Sequence, residues 1–149
     1  MKIFVGSDYR GFELKQEILE FLAKKDFEVV DKGAYEYNEG DDFNDPAIAV
    51  AEAVRSEPGT KGILICDSAH GVTMQANRFK RIRAAHCGNV ESAKLAREHD
   101  DANILCLSAH FIDKNVAENI ITTFLNTDFT NLERRVRRIN RLDEREYYD

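Results

Sequence analysis

Pro46 and Pro58 are the only prolines among 149 residues, too few to mark a linker, and no internal repeat or low-complexity stretch divides the chain. Three cysteines, an odd number set far apart, do not make a disulfide framework and point to a reducing compartment. No apolar run approaches the roughly 20 residues that a membrane span requires. The first residues, MKIFVGSD, turn polar too soon for a signal peptide. The expectation is a cytoplasmic protein without a membrane partner. A net charge of −6 argues against nucleic acid as a partner of the whole domain.

Signatures of several chemistries are also missing. Cys66, His70, His86, Cys87, His99, Cys106 and His110 are potential metal ligands, but none shows the close Cys-x-x-Cys or His-x-x-x-His spacing of zinc sites. The expectation is no metal and no cofactor. VGSDYRG lacks the G-x-G-x-x-G pattern of a dinucleotide site. No local signature supports a cysteine hydrolase, although a thiol and histidines are at hand.

The composition, 43% hydrophobic and 32% charged, is that of an ordinary globular protein. The length suits one domain, 1–149, burying about two-thirds of its unfolded surface. Charge is uneven: EYNEGDDFND (36–45) is an acidic loop, while ERRVRRINR is strongly basic, either a solvated helix face or a binding patch.

Short β-branched runs alternate with helical patterns. Strands are expected at IFV (3–5), FEVVD (27–31), GILIC (62–66), IRAAHC (82–87) and NILCLS (103–108). GILIC is apolar at consecutive positions, as befits a central strand buried on both faces. Helices are expected over 12–25, 47–56 with Asp45 as N-cap and Pro46 opening it, 71–80, 91–99 and 115–126. Leu132, Val136 and Ile139 recur at helical spacing in a C-terminal arm over about 128–149. Five β-α units in succession imply an α/β, doubly wound, Rossmann-like three-layer sandwich around a five-stranded parallel sheet. Ligands of such sheets sit beyond the carboxyl ends of the strands. Those ends carry Asp8-Tyr9-Arg10, Cys66 to Gly71, Cys87-Gly88-Asn89 and Ser108-Ala109-His110.

Cys66 either fills a strand end, the usual fate of a free cysteine and the reading taken for Cys87 and Cys106, or carries chemistry. The helix start after it favours a thiolate, while the neighbouring Asp67 opposes one. His99 reads as a histidine stabilising a helix C-terminus. Residue chemistry alone reaches a doubly wound domain with a small-anion site, and no reaction.

The ordered set GSDYRGFELK, GILIC-DSAHG, IRAAHC, AKLAREHDDANILCLSA and RRVRRI resembles one family along nearly the whole chain. It is similar to the sugar-phosphate isomerases that include type B ribose-5-phosphate isomerase and the galactose-6-phosphate isomerase subunits. The resemblance implies a homodimer or tetramer with active sites at the subunit interface, and metal-free interconversion of a phosphorylated aldose and its 2-ketose. It matches Cys66 to the base that moves the proton alpha to the carbonyl, a task in which one matched group serves both directions. Ser68 stands where threonine is usual and would bond the substrate carbonyl. The backbone N–H groups of Ala69, His70, Gly71 and Val72 would hold the enediolate. One branch of the family has a glutamate base at the Val72 position; valine here leaves Cys66. His99 matches the ring-opening residue, and Asp8 the acid that binds sugar hydroxyls.

The departures from the pattern concentrate on the phosphate grip. Tyr9 replaces a histidine, Arg10 a small residue, Asp100 an asparagine, and His110 an arginine. Asp67 and Ala69 replace glycines, suggesting a reshaped loop, and Asp67 is expected to point away from the pocket or bind a hydroxyl. Glu133 stands for another arginine, with Arg134 beside it, while Arg137 matches. His70 either replaces a lost phosphate contact or lies at the interface. An altered sugar phosphate is the expectation, and the alternative is a non-catalytic sugar-phosphate-binding paralogue or the partner subunit of a heteromeric isomerase.

Overall fold

Consecutive apolar positions build the middle of the sheet. The computed structural model describes residues 1–144; residues 145–149 of the expected arm lie outside the described residues. In chain order the elements are β1 (Lys2–Ser7), α1 (Phe12–Ala23), β2 (Glu28–Asp31), α2 (Asn44–Ser56), β3 (Lys61–Cys66), α3 (His70–Ala76), β4 (Ala84–His86), α4 (Val90–Asp100), β5 (Ile104–Ser108), α5 (Lys114–Asn126) and α6 (Glu133–Arg141). The strands form one parallel sheet in the order β2-β1-β3-β5-β4. After their first residue β1 and β3 are buried throughout, as is all of β5, the pattern of strands covered on both faces.

Two apolar layers cover the sheet. Ile18 and Leu22 of α1, Ala93 of α4 and Ile120 and Phe124 of α5 pack with Ile3, Val5, Ile63, Leu105 and Leu107. On the other face, Val50 and Ala51 of α2 and Val72 and Ala76 of α3 pack with Phe4, Leu64 and Ile104. The chain winds outward from β1 to β2, then crosses back to β3 on the other side of β1. That reversal opens a crevice beyond the carboxyl ends of β1 and β3. The register, with Ser7 opposite Ile65 and Cys66 opposite Ser108, sets the ends of β1, β3 and β5 nearly level. Among the described residues no helix is long and apolar enough to cross a membrane.

Three local expectations change. Asp45 lies within the first turn of α2, and the N-cap is Phe43, whose side chain makes no capping bond. Helix α3 ends at Ala76, short of residue 80, because the next residue is used otherwise. The Asn77 amide donates to Ala84 O (2.9 Å) and accepts from Ala84 N–H (2.8 Å). The β4 strand is shorter than 82–87 for a related reason: Asn103 accepts Arg83 N–H (2.8 Å) and donates to Arg81 O (2.8 Å) through its side chain.

Gly11, at the start of α1, lies against the end of β3. A Cβ there would stand 2.6 Å from the Ile65 carbonyl oxygen. Gly11→Ala is therefore expected to lower the unfolding free energy by about 1–3 kcal/mol, seen as a lower urea midpoint. Gly88→Ala, where a Cβ meets nothing within 4 Å, should leave the midpoint unchanged.

Candidate active site

At the carboxyl end of the sheet, β3 delivers Cys66, only 5% exposed, to the mouth of the crevice. The chain then turns into α3 through Ala69, whose φ of 71° is left-handed. This is a conformation that strains alanine and suits glycine. At this position the loop keeps a backbone that glycine would favour. The turn brings the Val72 and Ala69 N–H groups onto the Cys66 sulfur, and these favour the thiolate. Burial is the stronger influence. It pushes the Cys66 thiol above the ordinary value, and the charges of Asp8 and Asp67 push the same way. The Ser68 hydroxyl accepts the His70 N–H (3.3 Å). Cys87 and Cys106 are buried and unpaired; full burial takes Cys106 up to about 12.

β1 delivers Asp8, a buried residue whose carboxylate accepts the Gly11 N–H (2.9 Å). Burial raises its carboxyl above the usual carboxylate range, against the pull of that N–H, and nearby Asp41 adds to the rise. Asp41 is a residue that the sequence pattern did not single out. It sits in the acidic loop, accepts Tyr9 N–H at 3.2 Å, and its other oxygen is buried without a partner among the described residues. Phe43 from the same loop lies so close to Gly71 that a Cβ there would come within 2.9 Å of its ring. The chain leading into this loop is anchored by Lys15, fully buried, which donates to Asp31 (2.8 Å) and to the Ala34 carbonyl.

Several of the polar side chains at the mouth meet in pairs. Arg10 Nε donates to the Tyr9 hydroxyl (3.2 Å), with its guanidinium over the ring. The protonated guanidinium is favoured first by that hydroxyl and also by the charge of Asp67. His110, which follows β5, faces Asp67 with Nδ1 3.6 Å from Oδ1. His70 meets His86 edge to face, ring centres 5.9 Å apart; burial lowers the basicity of His86, and His70 lowers it further.

His99 and Asp100 are elsewhere. They end α4, which runs back from the carboxyl end of β4 to the start of β5, so its 11 residues carry them about 16 Å along the sheet. Arg134 and Arg137 lie on α6, which buries none of its residues. Arg137 pairs with Glu133 (3.3 Å). Arg135, not anticipated, ties this arm to α4: it donates to Glu98 O (3.3 Å) and to the Thr130 hydroxyl (2.6 Å). The structure thus gathers Asp8, Tyr9, Arg10, Cys66, Ser68, His70 and His110 at one end of the sheet and leaves His99 and Asp100 toward the other. Among the described residues no three or more His, Cys, Asp or Glu side chains are grouped to hold a metal.

The sequence pattern of the Ribose/Galactose Isomerase family matches residues 3–142. The chain belongs to this family. It is 40% identical over 141 residues to a probable ribose-5-phosphate isomerase B of Mycoplasma genitalium, covering 94% of this chain and 92% of that one. Over 148 residues it is 35% identical to the ribose-5-phosphate isomerase B of Mycobacterium tuberculosis, covering 98% and 90%. Among solved structures it is similar to the Thermotoga maritima ribose 5-phosphate isomerase (TM-score 0.92, 40% identity, 96% and 97% covered). It is also similar to the Mycoplasma genitalium enzyme with bound ribulose-5-phosphate (TM-score 0.93, 39% identity, 99% and 97% covered). Within the isomerase family, the fold and the position of the cysteine at the end of the third strand agree with the expectation from sequence.

The charge pattern around Cys66 can be read by alkylation. The rate of Cys66 modification by iodoacetamide, followed at the peptide level, should rise with pH to a midpoint above that of an ordinary thiol, because the thiolate reacts and burial raises the thiol. Asp8→Asn removes a charge that opposes the thiolate, so the midpoint should move down.

Proposed function

We propose that this chain is an aldose–ketose isomerase acting on a phosphorylated aldose and its 2-ketose, of the ribose 5-phosphate and ribulose 5-phosphate type. One observation carries the reading: a buried thiol at the end of β3 with two backbone N–H groups on its sulfur and a buried carboxylate, Asp8, beside it. In the forward direction the Cys66 thiolate takes the proton from C2 of the open-chain aldose, and the C–H electrons move to form the enediolate as the carbonyl oxygen gains charge. The same thiol returns the proton to C1 while the proton of the C2 hydroxyl passes to the C1 oxygen, so that the C1 alcohol and the C2 ketone form together. A low-dielectric site with N–H groups fixed in advance stabilises that oxyanion without reorganisation. Ser68 bonds the carbonyl oxygen, and the loop N–H groups from Ala69 through His70 and Gly71 to Val72 line the oxyanion. Asp8 takes a sugar hydroxyl.

His99, the proposed ring-opening group, cannot serve its own chain's Cys66 across the length of α4. We propose that it serves a second copy, with Asp100, Arg134 and Arg137 reaching the same site, where Tyr9, Arg10 and His110 meet the phosphate. The assembly is a homodimer or tetramer. A two-fold pairing makes this reciprocal, since each copy offers one end of its sheet to the other. Three unpaired cysteines suit a reducing, cytoplasmic setting. The raised Cys66 thiol favours a second reading, a sugar-phosphate-binding chain without turnover.

Exchange of the substrate's alpha hydrogen with deuterated solvent, followed by NMR on ribose 5-phosphate, separates the two. Exchange that vanishes in Cys66→Ser with binding retained supports the isomerase, and binding without exchange supports the second reading. Mixing inactive Cys66→Ser and His99→Ala chains under conditions that reshuffle subunits should restore about a quarter of the wild-type rate, because half of the dimers are mixed and each holds one intact site. No recovery after verified reshuffling would place both groups in one chain's site.

A further inference from the structure

Asp67 carries none of the transferred protons and acts on Cys66 only through its charge, yet its backbone is bound more firmly at the mouth of the site than that of a surface carboxylate need be. Its carbonyl oxygen accepts the His110 N–H (3.0 Å) and the Ser108 hydroxyl (2.6 Å), so the exits of β3 and β5 are locked to one another. On that fixed base its Oδ1 stands 3.6 Å from His110 Nδ1. The Phe111 ring packs against the imidazole at a centroid distance of 4.7 Å and restricts its rotation from another side. Both Asp67 and His110 side chains are about half exposed, 50% and 60%, and therefore open to a ligand.

A separation of 3.6 Å is a charge pair and not a hydrogen bond. A carboxylate facing Nδ1 nevertheless favours the ring forms with a proton there, and the state of one ring nitrogen decides what the other presents. With Nδ1–H turned to Asp67, Nε2 points away from that carboxylate, and a ring that carries a proton there as well donates Nε2–H to a phosphate oxygen. We propose that Asp67 is a positioning residue, which holds His110 with Nε2 toward the phosphate of the substrate. This rests on the reading of the site as one for a sugar phosphate. The opposing account is simple repulsion, in which a carboxylate at the mouth weakens phosphate binding. The two differ in sign.

The experiment is a double-mutant cycle on the full chain with Asp67→Asn, His110→Gln and both. It reads the dissociation constant of inorganic phosphate, KM and kcat for ribose 5-phosphate, and the His110 ring nitrogens by ¹⁵N NMR. Asp67→Asn should weaken phosphate and raise KM by about five- to tenfold, within the range of coupling for residues in contact. The ring should lose its preference for a proton on Nδ1. In the His110→Gln background the same substitution should not weaken binding. Tighter phosphate binding in Asp67→Asn, or equal weakening with and without His110, overturns the proposal, as does absence of phosphate binding in the wild type. Coupled phosphate binding without isomerisation would sink the catalytic reading and leave this one standing.

Discussion

Parallel pairing of β1, β3 and β5 is the constraint on which everything else depends. Three adjacent strands that run the same way, with their ends nearly level, must send their loops out on one side. Their apolar faces are buried twice over, by α1, α4 and α5 on one side and by α2 and α3 on the other. A one-residue slip of β3 would turn every side chain to the opposite layer. The position of Cys66 is therefore set by Ile63, Leu64 and Ile65, each fully buried, as much as by anything in the site.

That placement has an electrostatic consequence. The thiol lies where water is scarce, and the groups around it divide into two sets. The backbone dipoles of the α3 turn favour negative charge on sulfur, while Asp8 and Asp67 resist it. In the proposed reaction, where the thiol gives up and regains a proton in one turnover, this opposition serves better than a permanently ionised state. The acidic loop adds Asp41 beside Asp8, so this end of the chain is rich in acceptors for hydroxyl groups. In the proposed function, cations for a phosphate come from Arg10 at the mouth and from a second copy's arm.

Much of this was legible in the sequence because strands buried on both faces announce themselves by consecutive apolar residues, and the strand-end rule then selects Asp8, Cys66 and His110. The type and order of the elements followed from the alternation of periods. What escaped depends on long-range contact. Asp41 and Phe43 lie in a polar loop whose composition says nothing of which way it folds. The ends of α3 and β4 are decided by the amides of Asn77 and Asn103, which bond to backbone 7 to 22 residues away. No periodicity reports such bonds. The contact of Asp67 with His110 joins positions in two different loops and needs the β3–β5 register to be known. The antiparallel course of α4 explains why His99 and Cys66, matched to one site by the resemblance, lie toward opposite ends of the sheet within one chain.

The Asn77 bonds have a further meaning for the edge of the sheet. Arg83 and Cys87 bond inward to the β5 side, so by alternation Ala84 turns its N–H and C=O outward. Those are the groups a foreign strand would pair with, and both are already taken by the Asn77 amide. In three-residue β4 this leaves His86 as the other residue that the alternation turns outward. At Ala84 a single side chain hinders growth of the sheet by strand addition, where other folds use a covering helix or a charged edge.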